Sequence, residues 1–213
     1  MSCTISEPKF TALNLDELKI SAKTKIFSQR SAILCEGEIY NFFYIILSGS
    51  VKVFIRGKSG NELILGIYGQ GDFLGELNVF EETHALTSAT ALHKTKVLQI
   101  SKEELRKHAL HDAQFACYLL RKTTAQIRVL TERLGDLALT DVYDRVTKIL
   151  MRSATVSNDH FVINNPLSQQ NIASMVGASQ AMVSKIFKEL SVGGYIQIDS
   201  NKITINKRLP KAW

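Results

Sequence analysis

The 213-residue chain is poor in the residues that build metal sites and disulfide frameworks. Its 3 cysteines, Cys3, Cys35 and Cys117, are scattered, and no Cys-x-x-Cys pair occurs. That argues against zinc or iron–sulfur ligation by paired thiolates. The expectation is free, buried thiols in a reducing compartment. His108 and His111 stand i, i+3 on an expected helix, and two histidines are too few for a metal set, so no metal site is expected. Long apolar runs are missing as well. The longest, Phe42 to Leu47, is far too short to span a bilayer. The opening MSCTISEPKF has no basic patch followed by an apolar core, so a cytoplasmic protein without a membrane partner is expected. No nucleophile–base pair is evident either, so no enzyme is expected. Arginine is absent between Arg56 and Arg106.

What is present is basic and unevenly placed. The net charge of +6 favours anionic partners. Residues 1–138 carry 17 Lys+Arg against 15 Asp+Glu, whereas residues 139–213 carry 9 against 5, which points the C-terminal third toward nucleic acid.

Residues 26–100 read as short β-rich runs punctuated by glycine, the pattern of a barrel or jelly roll. Turns are expected at Gly37, at Ser48-Gly49-Ser50 and around Ser59-Gly60-Asn61, with a last strand over 94–100. Ser101 then caps a helix, and Glu104 is placed to complete a capping box. From about 112 to 137 no residue breaks a helix before Gly135. Ala116, Leu120, Thr123, Ile127, Leu130, Leu134 and Leu137 recur at alternating spacings of 4 and 3, a heptad seam. Such a seam fits a two-fold partner helix; the alternative is a helix lying on its own domain. Phe115, Tyr118 and Leu119 lie off the seam and face the barrel. Leu139 to Val142 reads as a hinge, followed by an amphipathic helix over 141–154 and a polar stretch.

The clearest signal follows. Ser168 can cap a helix with Ile172 and Val176 inward; Gly177 ends it, and Ser179 caps a second helix with Val183, Ile186 and Leu190 inward. Ala173 is small enough to let two helices cross. This frame fits a helix-turn-helix, with an ordinary helical hairpin as the alternative. The outward face of the second helix carries Gln180, Ala181, Ser184, Lys185 and Lys188 for base edges or phosphates. Ser168, Gln169, Gln170 and Ser179 suit backbone phosphates. A hairpin around Asp199-Ser200-Asn201 would form a wing, with Lys202, Lys207, Arg208 and Lys211 adding phosphate attraction.

In this order the whole chain resembles the bacterial cyclic-AMP receptor protein / fumarate–nitrate regulator (CRP/FNR) family. GELNVFEE (75–82) resembles the family's nucleotide-pocket motif, VLTERLGDLALTDV (129–142) its dimer helix and hinge, and IASMVGASQAMVSKIFKEL (172–190) its recognition motif. The resemblance implies an α+β chain in three parts: a β-roll sensor of the cyclic-nucleotide-binding jelly-roll type over 1–110, a dimerisation helix over 111–138 and a winged helix-turn-helix over 139–213. It implies a homodimer on a near-palindromic operator of double-stranded DNA, RNA polymerase as a partner, and a cyclic nucleotide or other small effector. The effector-pocket positions it implies are Gly75, Glu76, Leu77, Leu86, Thr87, Ser88, Leu130 and Thr131.

The departures from the family's pattern decide what that pocket should hold. Leu86 stands where the cyclic-AMP-binding members place the arginine that pairs the phosphate, and Leu130 replaces one of two hydroxyl residues. Leaving a buried charge unpaired costs about 3–5 kcal/mol, roughly a hundred- to several-thousand-fold in affinity. Helix N-terminal donors return about 0.3–1 kcal/mol, up to about 2 when buried. Tight cyclic-AMP binding is therefore not expected. Glu76 also has a purely structural reading, as an acid complementing a helix start. On the recognition helix, Gln180, Ala181 and Lys185 replace the receptor's Arg, Glu and Arg, so a different operator is expected. A cyclic-nucleotide module without DNA binding is the competing reading.

Overall fold

The computed structural model describes residues 21–77, 81, 83–157 and 160–210. Lys211 and part of the GELNVFEE stretch lie outside the described residues. The chain forms two compact units, one of residues up to Ile55 with Leu65–Thr124, the other of Arg56–Ile64 with Ala125 onward.

In the first unit, β1 (Ala22–Phe27), β8 (Thr95–Ser101), β3 (Phe42–Ser48) and β6 (Phe73–Leu74) make one sheet, in that order. A second sheet is formed by β2 (Ala32–Leu34), β7 (Ser88–Ala91), β4 (Val51–Arg56) and β5 (Glu62–Tyr68). The long apolar run of β3 is explained by burial on both faces. Phe43 and Ile45 join Phe73, Ile100, Leu105, Phe115, Tyr118 and Leu119 in one cluster. Tyr44 and Ile46 join Val51, Val53, Leu74, Ala89 and Val97 in another. Phe115, Tyr118 and Leu119 therefore pack on the roll as expected. A strand with apolar neighbours on both sides has no reason to alternate.

Gly49 and Gly60 fall in the β3–β4 and β4–β5 turns, as their sequence context predicts. Ser101 caps α1 (Lys102–His111), its hydroxyl accepting from Glu104 N–H at 3.2 Å. The reciprocal half of the capping box does not form. Ser101 is still paired with Phe42 in the β8–β3 ladder, and Glu104 Oε1 accepts instead from Ser21 N–H at 3.5 Å. Asp112 breaks the chain between α1 and α2 (Ala113–Leu139), with Oδ1 accepting from Gln114 and Phe115 N–H at 2.9 and 3.0 Å. Cys35 is half-buried and Cys117 is exposed on α2, so the expectation of buried thiols fails for Cys117. The ring of His108 stacks edgewise on Phe115, His111 Nδ1 sits 2.7 Å from Lys107 O, and no metal-holding cluster exists among the described residues. No described helix is long and apolar enough to cross a membrane.

In the second unit, α3 (Val142–Ser153) begins at the cap Asp141, which accepts from Asp144 N–H at 2.8 Å. The stretch read from sequence only as polar contains two strands, β9 (Thr155–Ser157) and β10 (His160–Asn164). β10 pairs with β12 (Lys202–Ile205), and β12 with β11 (Ile196–Asp199), so the wing hairpin is part of a four-stranded sheet. That sheet and α3 enclose α4 (Gln169–Val176) and α5 (Gln180–Val192) through a core that includes Val146, Leu150, Ile172, Val176, Val183, Ile186, Leu190 and Ile203.

Candidate nucleic-acid interface and sensor pocket

The turn between α4 and α5 is set by three local devices. Ser168 Oγ accepts from Asn171 N–H at 3.2 Å, opening α4. Gly177 closes it at φ 64°, in the left-handed region that glycine enters at little cost. Ser179 Oγ then accepts from Met182 N–H at 3.2 Å, opening α5. Ala173 is buried in the same core as Val183 and Ile186. Phe187 joins the inward set that the sequence pattern left at Val183, Ile186 and Leu190.

These constraints leave one face of α5 outward. Ser179, Gln180, Ala181, Lys185 and Lys188 are exposed, as are Ser168 and Gln170 at the start of α4. Lys185 Nζ lies 3.9 Å from Glu189 Oε1 on the next turn. An exposed pair of this kind is worth little and leaves the ammonium available to an acceptor. Ser184 and Gln169 are spoken for differently: Ser184 Oγ donates to Gln169 Oε1 at 2.6 Å. Ser184 is therefore not a free reader of base edges. Met182, half-exposed near the start of α5, adds an apolar surface beside the outward face that the sequence pattern did not single out. Lys202, Lys207 and Arg208 are exposed on and after the wing.

Sequence reasoning also missed Arg145 on α3. Its Nε donates to Val176 O at 2.9 Å, and its Nη1 donates to Thr140 O and stands 3.5 Å from Asp136 O and Leu137 O. One guanidinium thus meets the carbonyl ends of both α2 and α4, groups a helix cannot satisfy internally. Beside it, Lys148 pairs with Asp136 and Arg152 with Glu132.

In the first unit, Gly75, Glu76, Leu77, Leu86 and Thr87 are brought together with Leu34, Val53, Tyr68, Phe73 and Leu74 around a cavity of about 30 Å³. Gly75 has φ 89°, and a Cβ there would meet Phe42 O at 2.7 Å, so no other residue fits this close approach. Glu76 and Leu77 start a helical turn directly after it. Burial pushes the Glu76 carboxyl above its ordinary value, while a hydrogen bond from its own backbone N–H opposes the shift. Among the described residues no cation lines the cavity, and Lys94 and Lys96 are exposed. Leu86 is 65% exposed at the rim. Ser88 departs from expectation: it is buried in β7, and its Oγ accepts from Glu36 N–H at 3.0 Å instead of lining the cavity. Leu130 and Thr131 belong to α2 in the second unit, where Thr131 Oγ1 donates to Ile127 O at 2.9 Å.

A capped helix pair with a basic outward face, beside a four-stranded wing sheet, defines a helix-turn-helix DNA-binding unit; the other unit is a β-roll. The family model for a cyclic nucleotide-binding domain matches residues 24–112, and that for a Crp-like helix-turn-helix domain matches residues 144–208. The chain is 30% identical over 184 residues to the CRP-like cAMP-activated global transcriptional regulator of Mycobacterium tuberculosis, covering 84% of this chain and 82% of that one. It is 27% identical over 201 residues to the cAMP-activated global transcriptional regulator Vfr of Pseudomonas aeruginosa, covering 90% and 93%. The structure of the c-di-GMP responsive global regulator CLP of Xanthomonas campestris shares the fold, with a TM-score of 0.78 at 22% identity over 88% of this chain and 95% of that one. The chain belongs to the CRP/FNR family of transcription regulators.

Proposed function

We propose that the protein is a cytoplasmic homodimer that binds a near-palindromic operator through paired α5 helices and acts with RNA polymerase. The observation that carries this is the exposed basic face of α5, held outward by the Ser168, Gly177 and Ser179 caps. Two copies would place their recognition helices in successive major grooves, with half-sites about one helical turn apart. The sensor is proposed to respond to a ligand other than cyclic AMP, or to none, because its small cavity offers no countercharge to a phosphate.

The cyclic nucleotide-binding family match and the Gly75–Glu76–Leu77 turn favour a second reading, a nucleotide-responsive regulator with a modified pocket. Calorimetric titration with cyclic AMP, cyclic GMP and cyclic di-GMP separates the two; a low-micromolar cyclic-AMP affinity would favour the second. Gel shifts on genomic fragments test DNA binding itself. Lys185→Ala is expected to lose about 1–3 kcal/mol of discrimination at one operator position. Unchanged specific binding in that variant would sink the assignment of α5 as the reading helix.

A further inference from the structure

A serine inside a helix ordinarily returns its proton to the carbonyl four residues back. Thr123, Thr124 and Thr131 of α2 do so, donating to Leu119, Leu120 and Ile127 O at 3.0, 2.8 and 2.9 Å. Ser184 of α5 does not. Its proton goes across the turn to Gln169 Oε1 at 2.6 Å, joining the recognition helix to the first residue of α4.

This bond fixes the orientation of a planar amide. With one lone pair of Oε1 taken by Ser184, the Gln169 amide keeps both Nε2 protons to offer. A glutamine that reads adenine must present its oxygen and nitrogen together. The oxygen edge of Gln169 is engaged by Ser184, so the edge left without a partner in this bond is the Nε2 donor edge. In a helix-turn-helix the first helix crosses the DNA backbone, and a partner there that only accepts is a phosphate oxygen.

We propose that Gln169 donates from Nε2 to a DNA phosphate, that Ser184 is the positioning residue orienting its amide, and that Ser184 reads no base. The proposal rests on the DNA-binding reading. It confines base readout on this helix face to Gln180, Ala181, Lys185 and Lys188, and makes the Ser184–Gln169 pair a source of affinity without sequence preference.

Anisotropy titrations of the full chain against its selected operator and against a scrambled duplex test this. Ser184→Ala is expected to weaken binding to both by about three- to tenfold, the effect of one oriented hydrogen bond. Ser184→Thr keeps the hydroxyl and should bind as the wild type does. In a Gln169→Ala background, Ser184→Ala should have no further effect, since the two act as one unit. Gln169→Glu still accepts from Ser184 but turns a carboxylate oxygen toward the phosphate, and should lose more than about tenfold on both duplexes. Operator selection with Ser184→Ala should return the wild-type sequence.

A shifted base preference in that selection would overturn the proposal, and so would additive losses in the double variant or wild-type affinity in Gln169→Glu. Wild-type protein that binds no duplex at all would instead overturn the DNA-binding reading, and this proposal with it. Thermal melts of each variant reveal any loss of fold. If Ser184→Ala unfolds, Gln169→Glu and Gln169→Ala carry the test.

Discussion

Glu76 illustrates how one side chain can be tested apart from any ligand. Its carboxyl is raised above the ordinary 4.5 by burial, so the folded state holds its proton more tightly than the unfolded state does. The stability linked to that proton is present below the unfolded value and is lost as pH rises through the folded one. Glu76→Gln should therefore melt above the wild type at pH 7–8, with the difference vanishing near pH 4; a pH series of thermal melts checks this. Leu86 is the complementary case. The described residues around the cavity of about 30 Å³ carry one carboxylate, Glu76, and no cation. Leu86→Arg restores a countercharge at an exposed rim position and should raise cyclic-AMP affinity by at least about tenfold in calorimetry. An unchanged affinity would mean that something other than the missing cation excludes the nucleotide. Leu86 was legible in sequence because a motif frames it. The engagement of Ser88 with Glu36 was not, because the bond joins residues 52 apart in sequence.

At the scale of elements, α2 carries the oligomeric prediction. Leu120, Ile127 and Leu134 of its seam are 66%, 58% and 68% exposed, a stripe at heptad spacing that the chain's own packing leaves uncovered. A charge in mid-seam would be buried against a partner helix. Ile127→Glu should convert a dimer to a monomer by light scattering while leaving the monomer's melting temperature within a few degrees. A variant that stays dimeric would place the self-contact elsewhere. The seam was readable because its period is local to one helix. So were the caps of α4 and α5, which depend on residues three apart. β9 and β10 were missed because three- and five-residue strands carry too few positions for a pattern; β10 is held by β12, about forty residues downstream, and β9 in turn by β10. The capping box at Ser101 failed for a related reason. Ser101 is still a strand residue in register with Phe42 of β3, and a local motif cannot register that pairing with a distant strand.

Across the whole molecule, the order of parts was visible in sequence because each part has its own periodicity. Alternation and glycine turns give way to a heptad stripe, and the stripe to two short capped helices. What joins neighbouring parts was less visible. Arg145 stood as one basic residue on an amphipathic helix, and nothing in its spacing announced four carbonyl partners. Removing it strands acceptors at the ends of two helices, at about 1.5–3 kcal/mol for a charged hydrogen bond. Arg145→Ala should lower the melting temperature by several degrees, and Arg145→Lys, a point charge that cannot span both helix ends, should recover only part of that loss. Mechanically, the guanidinium acts as a rivet. The last turn of α2 and the end of α4 are fastened to the same planar group, so neither can turn against the other without first breaking charged bonds. The α4–α5 helix pair is thereby coupled to the end of α2 through a stiff joint at Arg145.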